Sequence, residues 1–220
     1  MEDRLKTGFS HYCFDMDGTL IDSCKTIYNA MIHTLDRLDI KYSIDEEMFI
    51  PKIGQHFKEI FEAFGVDIPD FDKYLSIYKQ IYMDEIGKSK LYNGVYDVLD
   101  NLKTRGARIS LLTTKAQDQA ERIVDYFGLK KYFDLVMGRR DGIAHKPSSE
   151  PLIKICEELS VQVNKTLMVG DTELDIQCGK NAGSFTCAVL YGYRIVELIV
   201  KENPDFIIND LSGILDLRVK

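Results

Sequence analysis

Several apolar runs in the sequence give way abruptly to residues able to do polar chemistry. Residues 11–14, HYCF, end at Asp15-Met16-Asp17-Gly18, and residues 107–112 end at Thr113, Thr114 and Lys115. Residues 133–137 lead to Arg139, Arg140 and, further on, Lys146-Pro147, while residues 166–169 end at Gly170-Asp171 with Asp175 close behind. In an open parallel sheet ligands bind outside the carboxyl ends of the strands. If these runs are strands of one sheet, the carboxylates, the hydroxyls and the lysine therefore meet on one rim. Three or four carboxylates gathered there repel one another unless a cation sits among them. Oxygen ligands without histidine or thiolate favour Mg²⁺, which keeps waters and leaves room for a phosphate oxygen. A hydroxyl such as that of Thr113, the Lys146 ammonium and the backbone N–H groups of the turn at Gly18 suit a tetrahedral dianion. The chemistry expected is Mg²⁺ plus phosphate.

The elements that must position these residues follow from periodicity. Residues 11–14 are short and apolar and stop at Asp and Gly, as a buried strand entering a turn does. From about residue 22 to residue 92 only helical spacing occurs. Ile27, Ala30, Met31, Leu35 and Leu38 form one stripe, with Asp22 and Ser23 as candidate N-caps. Phe57, Ile60, Phe61 and Phe64 form another, stopped by Gly65 and Pro69, and Phe71, Tyr74, Leu75, Tyr78, Ile81 and Tyr82 form a third. Beyond residue 92 helices alternate with short apolar runs at 107–112, 133–137, 166–169, 185–190 and 206–208. That alternation predicts a Rossmann-like α/β core, a parallel sheet covered by helices on both faces. The helical segment interrupts it with both ends near one edge of the sheet. The expected division is an α/β core of residues 1–21 and 93–220 and an inserted all-helical cap of residues 22–92.

Composition narrows the classes. A length of 220 residues corresponds to roughly one and a half domains at about 150 residues each. With 45% hydrophobic and 29% charged residues, the chain can offset its ordering entropy by burial, which excludes disorder as the dominant state. Lys and Arg number 28 against 35 Asp and Glu, a net charge of -7, and no basic stripe is visible, so nucleic acid is not expected as the main partner. No run is long and apolar enough for a membrane span, and MEDRLKTGFSH has no signal-peptide centre. Cys13, Cys24, Cys156, Cys178 and Cys187 contain no C-x-x-C pair, which fits reduced thiols in a cytoplasm.

The residues Asp15-Met-Asp-Gly-Thr-Leu20, Leu112-Thr113, Lys146-Pro147 and Gly170-Asp-Thr-Glu-Leu-Asp175 resemble the four motifs of the haloacid dehalogenase superfamily, in order. The helical insert after the first motif resembles members with a helical cap, phosphoglycolate-phosphatase-like proteins in particular. Asn93-Gly94-Val95, Asn181-Ala-Gly183 and Tyr191-Gly-Tyr193 are similar to that subgroup too. The resemblance covers nearly the whole chain; one departure is Ser149, where the family usually has Pro. It implies a Mg²⁺-dependent phosphatase acting on a small phosphorylated metabolite. Asp15 would be the nucleophile, forming an aspartyl-phosphate. Asp17 would protonate the leaving alcohol and then deprotonate the attacking water. Asp15, Asp171 and the backbone carbonyl of Asp17 would hold Mg²⁺, with Asp175 supporting them, and Gly18, Thr113, Thr114 and Lys146 would bind the phosphoryl group.

Other readings stand beside these. Asp15 and Asp17 could be ordinary turn residues, Thr113 could cap the following helix, and Asp175 suits a first helical turn. Lys115, Arg139 and Arg140 are read as surface or structural, the aromatic stripes as cap core, and His11, His33 and His145 as structural. Gly54, Gln55 and His56 are candidate cap residues facing the substrate, against an ordinary exposed loop. Asp17 argues against a dehalogenase, whose family members lack this second aspartate. A beta-phosphoglucomutase-like phosphomutase shares every motif and stays open, as do a nucleotidase and a pyrophosphatase. A phospho-accepting signalling switch also uses Asp, Thr and Lys at strand ends, but it has no use for the helical insert or for Asp17.

Overall fold

The computed structural model describes residues 9–218; the first eight residues, on which the signal-peptide reading and the start of the expected core fall, lie outside it. Six parallel strands form one sheet in the order β5-β4-β1-β6-β7-β8. They are β1 (His11–Phe14), β4 (Arg108–Ala116), β5 (Leu135–Arg139), β6 (Thr166–Gly170), β7 (Phe185–Val189) and β8 (Phe206–Ile208). Helices α5 (Val95–Thr104), α6 (Gln117–Tyr126), α7 (Glu150–Glu158), α8 (Glu173–Ala182) and α9 (Val196–Lys201) connect successive strands.

Side chains of β1 alternate between two apolar layers, as the period of a strand dictates. Tyr12 and Phe14 pack in one layer with Val98, Leu99 and Leu102 of α5 and Ile123 of α6. Cys13 packs in the other with Leu152 and Ile155 of α7 and Cys178 of α8. A central strand buried on both faces tolerates a polar residue only if it is bonded. His11 meets that condition: its ring contacts Thr166 Oγ1 at 3.0 Å and Ser110 Oγ at 2.8 Å, joining β1 to both neighbours. Burial pushes its imidazole down to about 4. The histidine is structural, as expected.

The helical segment consists of α1 (Cys24–Arg37), α2 (Glu46–Phe49), α3 (Phe57–Phe64) and α4 (Phe71–Asp84). Its two ends are tied together by an antiparallel pair, β2 (Ile21–Asp22) with β3 (Lys90–Leu91). Because β1 is central in the sheet, this stem rises from the carboxyl-end edge. Ile27, Ala30, Met31 and Leu35 are buried, as their spacing predicts, and Gly65 closes α3 in the left-handed region at φ 65°. Short α2 and the two-residue strands carry too few residues for periodicity to reveal them. Ser23 does sit at the N-cap of α1 but makes no capping bond; its hydroxyl is drawn to Asp17 instead. Asp22, the other candidate cap, lies in β2. Among the described residues, no helix is long and apolar enough to cross a membrane.

Candidate active site

The chain leaves β1, adds β4 and β5 on one side, and returns to place β6 on the other. The carboxyl ends of β4, β1 and β6 thus lie side by side at the point where the winding reverses, the place where such sheets bind ligands. Phe14 is in register with Leu111 and with Val169, so the residues that follow each converge. Asp15 is the first residue past β1, its N–H donating to the Val169 carbonyl at 2.9 Å.

Lys146 reaches this point from the loop before α7. Its Nζ donates to Asp15 Oδ1 at 2.5 Å, Asp175 Oδ1 at 2.6 Å and the Leu112 carbonyl at 3.1 Å. The other oxygen of Asp175 accepts from the Thr172 N–H at 3.0 Å and hydroxyl at 2.7 Å. Asp175 therefore serves the first turn of α8 and anchors Lys146 as well. Asp171 accepts from Thr19 Oγ1 at 3.2 Å and from the Tyr193 N–H at 2.9 Å. Two glycines make room for it. A Cβ on Gly18 (φ +82°) would lie 2.2 Å from the Asp171 carboxylate, and one on Gly192 would lie 2.3 Å from it.

Oxygens of Asp15, Asp171 and Asp175 lie within 4.8 Å of one another, and all three residues are buried. Burial, then the neighbouring Asp175, pushes the Asp171 carboxyl up to about 7. Burial also raises Asp15 well above the carboxylate range; Lys146 opposes that shift, and Asp175 and Asp171 add to it. Burial alone would lower Lys146, but Asp15 and Asp175 hold it above its ordinary value, so it stays protonated. Ionising all three carboxylates beside one ammonium would leave two uncompensated negative charges in a buried site, which a divalent cation would cancel. The all-oxygen donor set suits Mg²⁺, and the residues fit the ion.

Asp17 turns away from this cluster. Ser23 Oγ donates to its Oδ1 at 2.5 Å, and Lys115 Nζ lies 3.2 Å from its Oδ2. Asp17 thereby lines a cavity between the helical segment and the core, together with Thr114, Lys115 and Arg139 from the core side and Gly54, Gln55 and His56 from the helical side.

Several sequence readings change here. Lys115 is not a surface residue: β4 runs on to Ala116, past the end of its apolar run, and holds the Lys115 ammonium against Asp17 and 4.4 Å above the Tyr82 ring. Arg139 lines the cavity and meets the His56 ring. Arg140 is structural as expected, donating to Gln117 Oε1 at 3.0 Å. Of the aromatic stripes, Tyr74 and Tyr82 are fully buried, but Phe57, Phe71 and Tyr78 wall the cavity as well as packing. Gly18 differs from its expected role, because its N–H donates to the Ile21 carbonyl at 2.9 Å and so closes the turn. Thr113 is buried and accepts the Lys115 N–H at 3.3 Å; α6 starts beyond it, so it is not that helix's cap. Sequence reasoning missed Ser23 and Thr19 as partners of the aspartates, since a hydroxyl near a strand end carries no signal of its own. The Tyr191-Gly-Tyr193 stretch was visible only through family resemblance.

The family model for haloacid dehalogenase-like hydrolases matches residues 12–189. The chain is 32% identical over 208 residues to a phosphoglycolate phosphatase of Aquifex aeolicus, covering 93% of this chain and 94% of that one. It is 31% identical over 207 residues to the pyrophosphatase PpaX of Bacillus mycoides, again covering 93% and 94%. In fold it is similar to a haloacid dehalogenase-like family hydrolase from Streptococcus pneumoniae, with TM-score 0.84 at 21% identity over 95% of this chain and 98% of that one.

Proposed function

The chain belongs to the haloacid dehalogenase-like hydrolase family, and from that premise we propose that it is a Mg²⁺-dependent phosphatase of small phosphate esters. The observation that carries this reading is the placement of Asp15. A buried carboxylate at the end of the central strand shares Lys146 with Asp175 and faces Asp171. An ordinary turn residue would need none of that.

In the first step a carboxylate oxygen of Asp15 attacks phosphorus and the bond from phosphorus to the leaving oxygen breaks, giving an aspartyl-phosphate. Asp17 gives its proton to the leaving oxygen. Lys115 Nζ, 3.2 Å from Asp17 Oδ2, stands beside the same carboxylate. In the second step Asp17 takes a proton from water, whose oxygen attacks the aspartyl-phosphate; phosphate leaves and the Asp15 carboxylate is restored. Lys146 offsets charge on the phosphoryl oxygens, with Thr113 and Thr114 as further donors at the end of β4. Mg²⁺ would be held by the Asp15 and Asp171 carboxylates and the Asp17 carbonyl, with Asp175 bracing Lys146, and would supply charge cancellation between the two anions that must meet.

Residues 22–92 act in this reading as a cap that selects the leaving group while the core performs the same transfer on any ester. The five unpaired cysteines fit a reducing cytoplasm. The names of the relatives divide between phosphoglycolate phosphatase and pyrophosphatase, and both substrates present the same transferable group.

Phosphate release from p-nitrophenyl phosphate tests the reading. Activity should require Mg²⁺, and Asp15→Asn should lower kcat by more than about 10³-fold. Undiminished turnover in that variant, or in excess chelator, would reject the mechanism.

A further inference from the structure

The last strand of the sheet and the helix before it leave an apolar surface that the chain itself does not cover. Among the described residues eight large apolar side chains are exposed, and five of them lie between positions 195 and 207. These are Ile195, Val196, Leu198, Val200 and Ile207, each 38–52% exposed. Helix α9 turns Ile199 inward onto Ala188 and Ile176. At 3.6 residues per turn, Leu198 and Val200 then flank that buried position, and Glu197 and Lys201 point outward between them. Ile207 belongs to the same surface. It is in register with Ala188 of β7, and residues paired across parallel strands point to one face, here the face that Ile199 covers. Because β8 is an edge strand, Ile207 lies beside α9 at the rim.

The charge pattern indicates what covers this surface. Glu197 and Lys201 are both exposed, and among the described residues neither is ion-paired. A two-fold axis that sets two copies of α9 antiparallel, crossing at Ile199, brings Glu197 of each copy level with Lys201 of the other. It also sets the two Leu198 side chains together on one flank and the two Val200 side chains on the other. The surface is thus its own complement, as an isologous contact requires. Parallel helices would instead face like charges. A lipid surface fits worse, because Glu197, Glu202 and Asp205 outnumber Lys201 there and the chain carries a net charge of -7, which anionic headgroups repel. Pairing through the β8 edge also fits worse. That strand has three residues, Pro204 precedes it, and Asp205 holds the Thr186 N–H and hydroxyl at 2.8 Å, features that blunt an edge.

We propose that α9, with Ile207 beside it, is the contact face of a homodimer in which two α9 helices pack antiparallel about a two-fold axis. The proposal is independent of the phosphatase reading, since none of these residues lines the cavity beside Asp17 or belongs to the carboxylate cluster. The patch is small, so association is weak, with a Kd on the order of 10 μM.

Sedimentation velocity of the purified full chain, from about tenfold below to about tenfold above that Kd, should show monomer giving way to dimer. Leu198→Glu buries an unpaired carboxylate at the contact and should weaken the dimer by at least about tenfold. Met48→Glu, at a position 63% exposed but outside the patch, should leave it unchanged. Charge reversal tests the antiparallel arrangement. Glu197→Lys and Lys201→Glu each set like charges across the axis, so each variant alone should stay monomeric over this range. Mixed in equal amounts, the two variants should dimerise about as well as the wild type, because every facing pair is then opposite in sign. That recovery also shows that both variants are folded. A wild type that stays monomeric throughout, a dimer indifferent to Leu198→Glu, or no recovery on mixing would each overturn the proposal. So would wild-type binding to phosphatidylserine vesicles that Leu198→Glu abolishes, which would assign the surface to a membrane.

Discussion

At the scale of single residues, one ammonium among three buried carboxylates dominates the site. Lys146 bonds to Asp15 and Asp175, and Asp171, buried and beside Asp175, resists ionisation. Its carboxyl, held up to about 7 against an ordinary 3.8, keeps a proton in the folded protein that the unfolded chain releases. A raised carboxyl of this kind contributes stability below the unfolded value and loses it as pH rises through the folded one. The metal-free protein should therefore lose stability between about pH 4 and pH 7 from this group. A divalent cation takes the place of the proton, so its effect should have the opposite trend. Thermal scans should show a larger Mg²⁺-induced rise in Tm near pH 8 than near pH 5.5; a rise that is equal at both, or larger in acid, would contradict a metal site at Asp171. All of the aspartates at the site were legible in the sequence, because Asp15, Asp17 and Asp171 follow the ends of apolar runs and Asp175 comes four residues after Asp171. The division of labour among them was not. Asp17 faces the cavity and Asp171 the dry cluster because Ser23 and Lys115 hold the one, and Thr19 and Tyr193 the other.

At the scale of elements, the site depends on close backbone approach at two turns. The loop after β7 brings Gly192 so near Asp171 that a side chain has no room. Gly192→Ala should force that loop outward and break the Tyr193 N–H bond to Asp171, costing about 1–3 kcal/mol as overpacking does. Its Mg²⁺-induced rise in Tm should shrink as well. Gly87→Ala, whose added methyl would meet nothing closer than the Tyr126 hydroxyl at 3.7 Å, is the control and should do neither. Helix periods, the strand order of polar termini and the glycine stop of α3 could be read from spacing alone. The extent of β4 could not. Thr113, Thr114 and Lys115 look like a loop by composition, but β4 continues through them to pair Ala116 with Arg139 of β5 after a register shift. This extension carries Lys115 and Arg139 into the cavity.

At the scale of the whole molecule, the helical segment is held over the core by a small number of polar ties. Tyr193 Oη accepts the Ser23 N–H at 2.5 Å, and Tyr191 Oη donates to the Thr19 carbonyl at 2.9 Å. Lys79 of α4 pairs with Asp118 of α6 at 2.8 Å, but that pair is exposed and contributes little. Tyr193→Phe would leave the Ser23 N–H without its acceptor, at about 1–3 kcal/mol, or about 2–4 °C in Tm for each kcal/mol in a chain of this size. Because Ser23 also holds Asp17, kcat should fall in this variant with KM nearly retained, whereas Lys79→Ala should change Tm by no more than a degree or two. A rise in KM alone would show that Tyr193 acts on the cavity and not on Asp17. The sequence by itself determined the fold class, the helical nature of residues 22–92 and the carboxylates, hydroxyls and lysine of the rim, since periodicity and polar strand ends are local signals, and its four motifs carried the resemblance to the family. Only the tertiary structure decided which side chains from the helical segment and the core face one another. His56 and Arg139 are 83 positions apart, and no local pattern couples them. Their meeting depends on how the helical segment packs over the sheet, a property of summed contacts along the whole chain.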